Sequence, residues 1–293
     1  MRKVLIFGSA GQLGIELTTV FRDAGFQVQA LTRAHLDITD PAAVERHITA
    51  AEPELVINSA AYNMVDVAEQ EPLAAYQVNA LAVRHMAVTC RQVDAFFVHF
   101  STDYVFDGAA GRPYAESDAV HPLGAYAVSK LAGEAYAQAY LDRVLVVRVS
   151  GVFGPGGVRT ARSNFPELML RLADAGKEIR VVEDHVASPS FAPAVAERTL
   201  ELVKRDVRGV VHVGGGVAVS WYDWAEMIFR AAGRQPELKA TNEREYRTAA
   251  RRPKYSALAN NRLAELGIAP MPPLRTALEA YMLQRTRYLN AGA

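Results

Sequence analysis

Cysteine is nearly absent: Cys90 is the single one in 293 residues. No intramolecular disulfide can form, and such usage fits a reducing compartment. Val88, Thr89 and Arg91 flank it in a helical stretch, so the expected role is packing. A charge excess is absent too, with 32 basic residues against 32 acidic ones. Nucleic-acid binding normally draws on a basic surplus, so the balance argues against that partner. Long apolar runs are also missing. None approaches the ~18 residues of a membrane helix. The Val4–Phe7 run behind Met1-Arg2-Lys3 is far shorter than a signal-peptide core. The expectation is a soluble, cytoplasmic protein with no nucleic-acid or membrane partner. Disorder is excluded by what is present: half the residues are hydrophobic and 22% are charged. The length suits one large domain or two unequal ones.

Short apolar runs alternate with helical patterns through the first half. Strands are expected at Lys3–Phe7, Gln27–Leu31, Leu55–Asn58, Ala95–Phe100 and Val144–Val149. Helices are expected at Gln12–Ala24, Pro41–Ala51, Leu73–Val93 and Ala125–Leu141, with Asp40 as N-cap before Pro41. Strands that are apolar throughout, alternating with helices, indicate a parallel sheet covered on both faces. After about residue 150 the rhythm loosens. Helices are expected at Asn164–Ala175, Ala192–Lys204, Trp221–Ala232 and Leu274–Gln284, and strands at Glu178–Val182 and Val210–Val213.

The first strand runs into Gly8-Ser9-Ala10-Gly11-Gln12-Leu13-Gly14. Glycine serves three needs there: a tight turn, close approach of backbone to a diphosphate, and helix–strand packing. The helix start then offers N–H groups to phosphate. A second GxxGxxG, Gly151–Gly157, contains Pro155 and opens no helix directly, so it reads as a loop. The strand–turn–helix context makes the first copy a dinucleotide site. The fold expectation is therefore an α/β, Rossmann-type doubly wound parallel sheet over residues 1–150, to which later segments contribute. Residues 151–293 form a smaller, less regular substrate lobe. No acid ends the second strand to grip the ribose of NAD(H); Leu31 is followed by Thr32 and Arg33. Arg33 suits the 2′-phosphate of NADP(H), with NAD(H) kept as the alternative. Asp37 and Ile38 are candidates to flank the adenine, and Asp37 reads equally as a turn residue.

Tyr126 and Lys130 stand at i and i+4, on one helix face. A neighbouring ammonium favours phenolate, so the pair suits proton transfer. With 12 tyrosines in the chain the pair alone is suggestive; its place between the fourth and fifth strands strengthens it. The fourth strand ends in Ser101-Thr102-Asp103-Tyr104-Val105-Phe106-Asp107-Gly108. Ligands lie beyond the carboxyl ends of parallel strands. Thr102 is thus a candidate to hydrogen-bond a substrate carbonyl, with Asp103 and Tyr104 positioning it or touching the substrate.

These motifs together resemble the extended short-chain dehydrogenase/reductase superfamily and, within it, the dTDP-4-dehydrorhamnose reductase family. The resemblance covers nearly the whole chain. It includes Asp37–Asp40, Val56–Tyr62, Val65-Asp66, Ala68-Glu69, Val78-Asn79-Ala80, Asn164-Phe165, Ser188-Pro189-Ser190 and Arg251-Arg252-Pro253 with Ser256. It implies that Tyr126 protonates the C4 oxygen of a 4-keto-6-deoxy nucleotide sugar while hydride passes from the nicotinamide to C4, giving dTDP-L-rhamnose. Lys130 would tune Tyr126 and bind cofactor ribose. Gly8, Gly11, Gln12, Leu13, Gly14, Ala60, Ala61, Tyr62 and Asn79 would surround the cofactor. Thr102, Asp103, Tyr104, Asn164, Arg251 and Arg252 would meet the substrate, the two arginines at its diphosphate. Some members use magnesium at a dimer contact; no metal-ligand cluster in this sequence assigns one, and a homodimer is only the superfamily's expectation.

Two strings depart from the family. Its usual Arg-Thr-Ser-Trp reads Arg148-Val149-Ser150-Gly151, so the aromatic is missing. Its Asp-Gln-x-Gly-x-Pro-Thr reads Asp184-His185-Val186-Ala187-Ser188-Pro189-Ser190, which makes His185 a pocket candidate or a plain loop residue. Both changes bear on the sugar rather than on hydride chemistry. Two other readings stay open: an epimerase or dehydratase of the same superfamily, and a non-catalytic NADP-binding protein like the regulatory subunit of methionine adenosyltransferase. Tyr104 stands where dehydratases place a glutamate, which argues against dehydration.

Overall fold

The computed structural model describes residues 2–160 and 163–290. Its strands are β1 (Lys3–Phe7), β2 (Gln27–Leu31), β3 (Leu55–Asn58), β4 (Phe96–Thr102), β5 (Val144–Val149), β6 (Ile179–Val182), β7 (Val186–Ala187), β8 (Gly209–His212), β9 (Val219–Ser220) and β10 (Leu238–Thr241). Its α-helices are α1 (Gln12–Asp23), α2 (Pro41–Ala51), α3 (Val65–Ala68), α4 (Pro72–Tyr76), α5 (Ala82–Gln92), α6 (Ala125–Tyr140), α7 (Phe165–Asp174), α8 (Ala192–Lys204), α9 (Trp221–Ala231), α10 (Asn261–Glu265) and α11 (Leu274–Asn290).

Six strands make one parallel sheet in the order β2-β1-β3-β4-β5-β8. Strand side chains alternate between faces, and both faces are covered, which explains the unbroken apolar runs. Leu5, Phe7, Val56, Phe97 and Val146 join Val44 and Ile48 of α2, Met86 of α5 and Ala137 of α6. Cys90 is buried in this cluster, where desolvation raises its thiol pKa. Val4, Ile6, Ile57, Val98 and Val147 pack on the other face with Leu17 and Phe21 of α1 and Val195 and Leu202 of α8. This second cluster continues through Phe153, Trp224 of α9 and Tyr281 of α11, so the later lobe shares the core of the sheet. The later half also supplies β8 at the sheet edge and α8 on one face.

The lobe is built on two small ribbons. β6 and β10 pair in parallel, and β7 and β9 antiparallel. α2 starts as its sequence suggests: Pro41 occupies the first turn, and Ala43 N–H donates to Asp40 Oδ1 at 3.0 Å. The expected single helix over 73–93 is instead α4, a π-helical turn at Gln77–Leu81, and α5. The wider turn carries Asn79, which is buried. β4 runs two residues past Phe100 and ends on Thr102.

Candidate active site

The strand order reverses between β1 and β3, the kind of switch point at which open α/β sheets bind ligands beyond the carboxyl ends of their strands. The turn after β1 and the loop after β3 touch. Gly8 has φ +77°, and a Cβ there would stand 2.5 Å from Ala60 N. A Cβ on Gly14 would stand 2.2 Å from Gly8 O. Gly11 is the N-cap of α1 with extended backbone, and no side chain caps the helix. The 12-residue helix therefore begins with N–H donors that no side chain occupies, beside exposed Ala10 and Gly11. That arrangement fits the diphosphate of a nicotinamide dinucleotide.

The second glycine run is a loop, and it packs on the first. A Cβ on Gly156 would stand 3.1 Å from Gln12 Cα. Gln12 Nε2 donates to Val152 O at 2.9 Å, and Asn164 Nδ2 donates to Gln12 Oε1 at 3.2 Å. Asn164, expected at the substrate, is instead the N-cap of α7, accepting from Glu167 N at 3.0 Å. Its other bonds, to Gly154 O and from the Tyr281 hydroxyl, complete a structural knot. Leu13 turns into the core. Asn79 clasps the main chain of Tyr62 in both directions at 2.9 Å and donates to Ser129 Oγ. It shapes the Ala60–Tyr62 wall from behind. Ala60 N–H is held by Asn58 Oδ1. At the end of β2, Arg33 extends into solvent with its side chain 92% exposed, 4.0 Å from Asp37. Asp37 closes a turn by accepting from Thr39 N and Oγ1, which keeps its carboxyl below the usual range. Ile38 is half-buried against the α2 side of the sheet.

Thr102, Tyr126 and Lys130 come together at the end of β4 and the start of α6. Thr102 Oγ1 donates to Asp103 Oδ1 at 3.1 Å and accepts from Tyr104 N at 3.2 Å. It also stands near the Tyr126 phenol, whose pKa it works to lower. A hydroxyl carries one hydrogen, and that of Thr102 is given to Asp103. Burial pushes the Tyr126 phenol up to about 12, against the lowering expected from a neighbouring ammonium. Lys130 is itself buried and donates to Phe100 O at 2.6 Å. Burial brings its ammonium down to about 8, with Glu134 working the other way.

Asp103 does not face solvent. It is 3% exposed and accepts from Ser150 Oγ at 2.8 Å and Ser256 Oγ at 2.5 Å besides Thr102. Burial raises its carboxyl to about 6 despite those three donors. It supports Thr102 and ties the sheet to the lobe.

A cleft of about 670 Å³ opens from Tyr104 into the lobe. Phe165, Leu168, Met169 and Trp221 give it an apolar wall, and His185 lines it. The His185 side chain is buried, with Nδ1 3.1 Å from Asp184 Oδ1. Arg180, Arg244, Arg247, Arg251 and Arg252 give it positive charge. Arg252 forks onto Asp66 at 2.7 and 3.1 Å, and its charge works against the rise that burial brings to the Tyr104 phenol. Arg180 pairs with Glu245. Among the described residues Arg244, Arg247 and Arg251 have no ion-pair partner, leaving net positive charge for an anion. Arg180, Arg244, Arg247, Phe165 and Trp221 were not singled out from the sequence; the only signal was an arginine-rich run after Thr241. Among the described residues no group of three His, Cys, Asp or Glu side chains could hold a metal ion, and no helix is long and apolar enough to cross a membrane.

The RmlD substrate binding domain model matches residues 1–287. A dTDP-4-dehydrorhamnose reductase of Mycobacterium tuberculosis is 39% identical over 282 residues, 94% of this chain and 91% of the relative. A spore coat polysaccharide biosynthesis protein, SpsK of Bacillus subtilis, is 36% identical over 98% of this chain and 99% of its own. The crystal structure of dTDP-4-dehydrorhamnose reductase from Bacillus anthracis in complex with NADP superposes with a TM-score of 0.92 at 32% identity, covering 97% of this chain and all of the other. With its glycine turn, Thr102–Tyr126–Lys130 cluster and guanidinium-lined cleft in the same frame, the chain belongs to the dTDP-4-dehydrorhamnose reductase (RmlD) family of extended short-chain dehydrogenases/reductases.

Proposed function

We propose that this protein reduces the C4 ketone of a 6-deoxy nucleotide sugar, dTDP-4-dehydrorhamnose, to give dTDP-L-rhamnose, with NADPH preferred over NADH. The observation that carries the reading is the junction at Tyr104, which packs edge-on to Tyr126 at 6.0 Å and also lines the cationic cleft. The proton donor thus stands one ring away from the anion-binding cleft.

The uncapped start of α1 and the Gly8–Gly14 turn would hold the dinucleotide's diphosphate, with Arg33 at the 2′-phosphate. The bound nicotinamide supplies a hydride for C4. Tyr126 supplies the proton for the C4 oxygen. A phenol pushed up to about 12 is fully protonated near neutral pH, which suits a donor in reduction. Thr102 stands beside the phenol, and Asp103 fixes Thr102 by accepting its hydroxyl hydrogen. Lys130, held by Phe100 O, places a positive charge beneath the site. Arg244, Arg247 and Arg251 would take the sugar's diphosphate, while Arg252 is committed to Asp66.

The test is NADPH oxidation with dTDP-4-dehydrorhamnose. Tyr126→Phe should lower kcat by about 10²–10⁴ with NADPH binding retained. Unchanged turnover in that variant would refute the acid role. NADPH binding with no nucleotide sugar turned over would refute the enzyme reading.

A further inference from the structure

The cleft contains an indole that the chemistry above leaves unused. Trp221 is the first residue of α9, half-buried, and meets Phe165 edge-on at 4.7 Å. Its position relative to the reacting end follows from a short chain of contacts. Ser150, just past β5, donates to the same carboxylate that receives the Thr102 hydroxyl. Gly151 is the next residue, with φ +49°, and a Cβ there would stand 3.3 Å from Trp221 Cη2. The far edge of the indole therefore reaches the carboxyl end of the sheet, next to the support of Thr102. The same ring lines the cleft with Tyr104 and His185.

The ring is also firmly held. β9 pairs with β7, Trp221 N–H donates to His185 O at 3.1 Å, and Ser220 caps α9 by accepting from Asp223 N at 3.0 Å. An aromatic fixed by a cap, a ribbon and an edge-on neighbour loses little freedom when a ligand arrives. The C–H face of a pyranose is apolar, and the free guanidiniums of the cleft suit the diphosphate. The indole at the reacting end is left to meet the sugar.

We propose that Trp221 is the wall on which the substrate's sugar ring lies, and that Gly151, by carrying no side chain, gives that indole its place. The proposal rests on the nucleotide-sugar reading above. It makes Trp221 a specificity-determining residue, selecting sugars with an unobstructed apolar face toward α9.

The chain has two tryptophans, and Trp224 is 1% exposed in the core. Ligand-dependent indole emission therefore reports on Trp221. Titration with dTDP-L-rhamnose should shift the emission, dTDP alone should not, and Trp221→Phe should abolish the response. In turnover, Trp221→Ala should raise KM for dTDP-4-dehydrorhamnose about tenfold, with the Kd for NADPH within about twofold. Gly151→Ala keeps the indole and crowds it, so it should raise KM by a smaller factor. An equal response to dTDP alone would place the base on the indole and overturn the assignment. So would an unchanged KM in both Trp221→Ala and Gly151→Ala while the wild-type protein turns over. If the wild-type protein binds NADPH but reduces no nucleotide sugar, the substrate reading itself fails and takes this role with it.

Discussion

The two candidate diphosphate sites of this molecule would work by opposite means. At the glycine turn there is no formal charge; the α1 terminus offers main-chain donors and a dipole. In the lobe cleft, guanidiniums provide the positive field. The first device is made of the fold and tolerates no side chain at Gly8 or Gly14. The second is made of side chains and leaves the fold largely indifferent to them. Zero net charge is compatible with both, because one needs no charge and the other concentrates a few. Substitutions should therefore act on stability at the turn and on binding alone in the cleft.

The sharpest way to break that contrast is Gly14→Ala. The added carbon would stand 2.2 Å from Gly8 O and 2.7 Å from Ser9 Cα, both main-chain atoms that cannot swing aside. α1 would have to lift from β1, costing roughly 3–4 kcal/mol. Thermal unfolding should drop by roughly 6–8 °C, at about 2 °C per kcal/mol for a chain this long, and NADPH binding should be lost. Arg251→Ala is the counterpart in the cleft. That side chain is exposed, so its Tm should stay at the wild-type value while KM for the nucleotide sugar rises. A stable Gly14→Ala protein that still binds NADPH would remove the distinction.

Asp103 sits where the two regions meet, and its effect should be next in size. Its carboxyl titrates near 6 in the folded protein, against 3.8 ordinarily. The folded state therefore prefers the protonated form. The resulting stabilisation is complete below about pH 4 and is lost as pH rises through 6. Asp103→Asn is nearly the same shape and does not titrate. Between pH 4 and pH 8 the stability difference should move in favour of Asn by about 3 kcal/mol, two pKa units' worth. Urea unfolding at several pH values measures this. Parallel curves for the two proteins would mean that Asp103 ionises as it does in water, and that the serine and threonine hydroxyls fully offset its burial.

The sequence revealed most where a physical requirement is local. The unbroken apolar runs of β1, β3 and β5 report a sheet covered on both faces. The Asp40-Pro41 start of α2 and the glycine turn report backbone geometry that few residues allow. Elements of two to five residues, such as β7, β9 and α10, hold little more than one hydrophobic period and left no pattern. The π turn was hidden because Gln77-Val78-Asn79-Ala80-Leu81 has ordinary helical composition. Within the site, Thr102, Tyr126 and Lys130 were readable from strand-end and helix-face positions. Asn164 was expected at the substrate and caps α7; an asparagine just before Phe165-Pro166 is a cap pattern that could have been read. Asp103 owes its burial to Ser150 and Ser256, and Trp221 owes its place to Gly151. Those contacts join residues 47 to 153 positions apart in the chain, and no local pattern announces them.

The smallest expected effect lies at the rim of the cofactor crevice, where the contrast between backbone and side-chain recognition blurs. Arg33 follows the end of β2 and is 92% exposed. Its pairing with Asp37 at 4.0 Å is loose and solvent-screened, so little is lost in redirecting it. A 2′-phosphate would receive a planar, charged fork, whereas the 2′-hydroxyl of NADH would gain little from it. Arg33→Ala should weaken NADPH binding about tenfold, or about 1.4 kcal/mol, and leave NADH binding close to unchanged. Because the contact is exposed, the NADPH preference should also shrink as salt is raised, and the variant should show much less of that dependence. Equal losses for both cofactors, or none for either, would remove Arg33 from the 2′-phosphate and leave the dinucleotide to the backbone of the glycine turn alone.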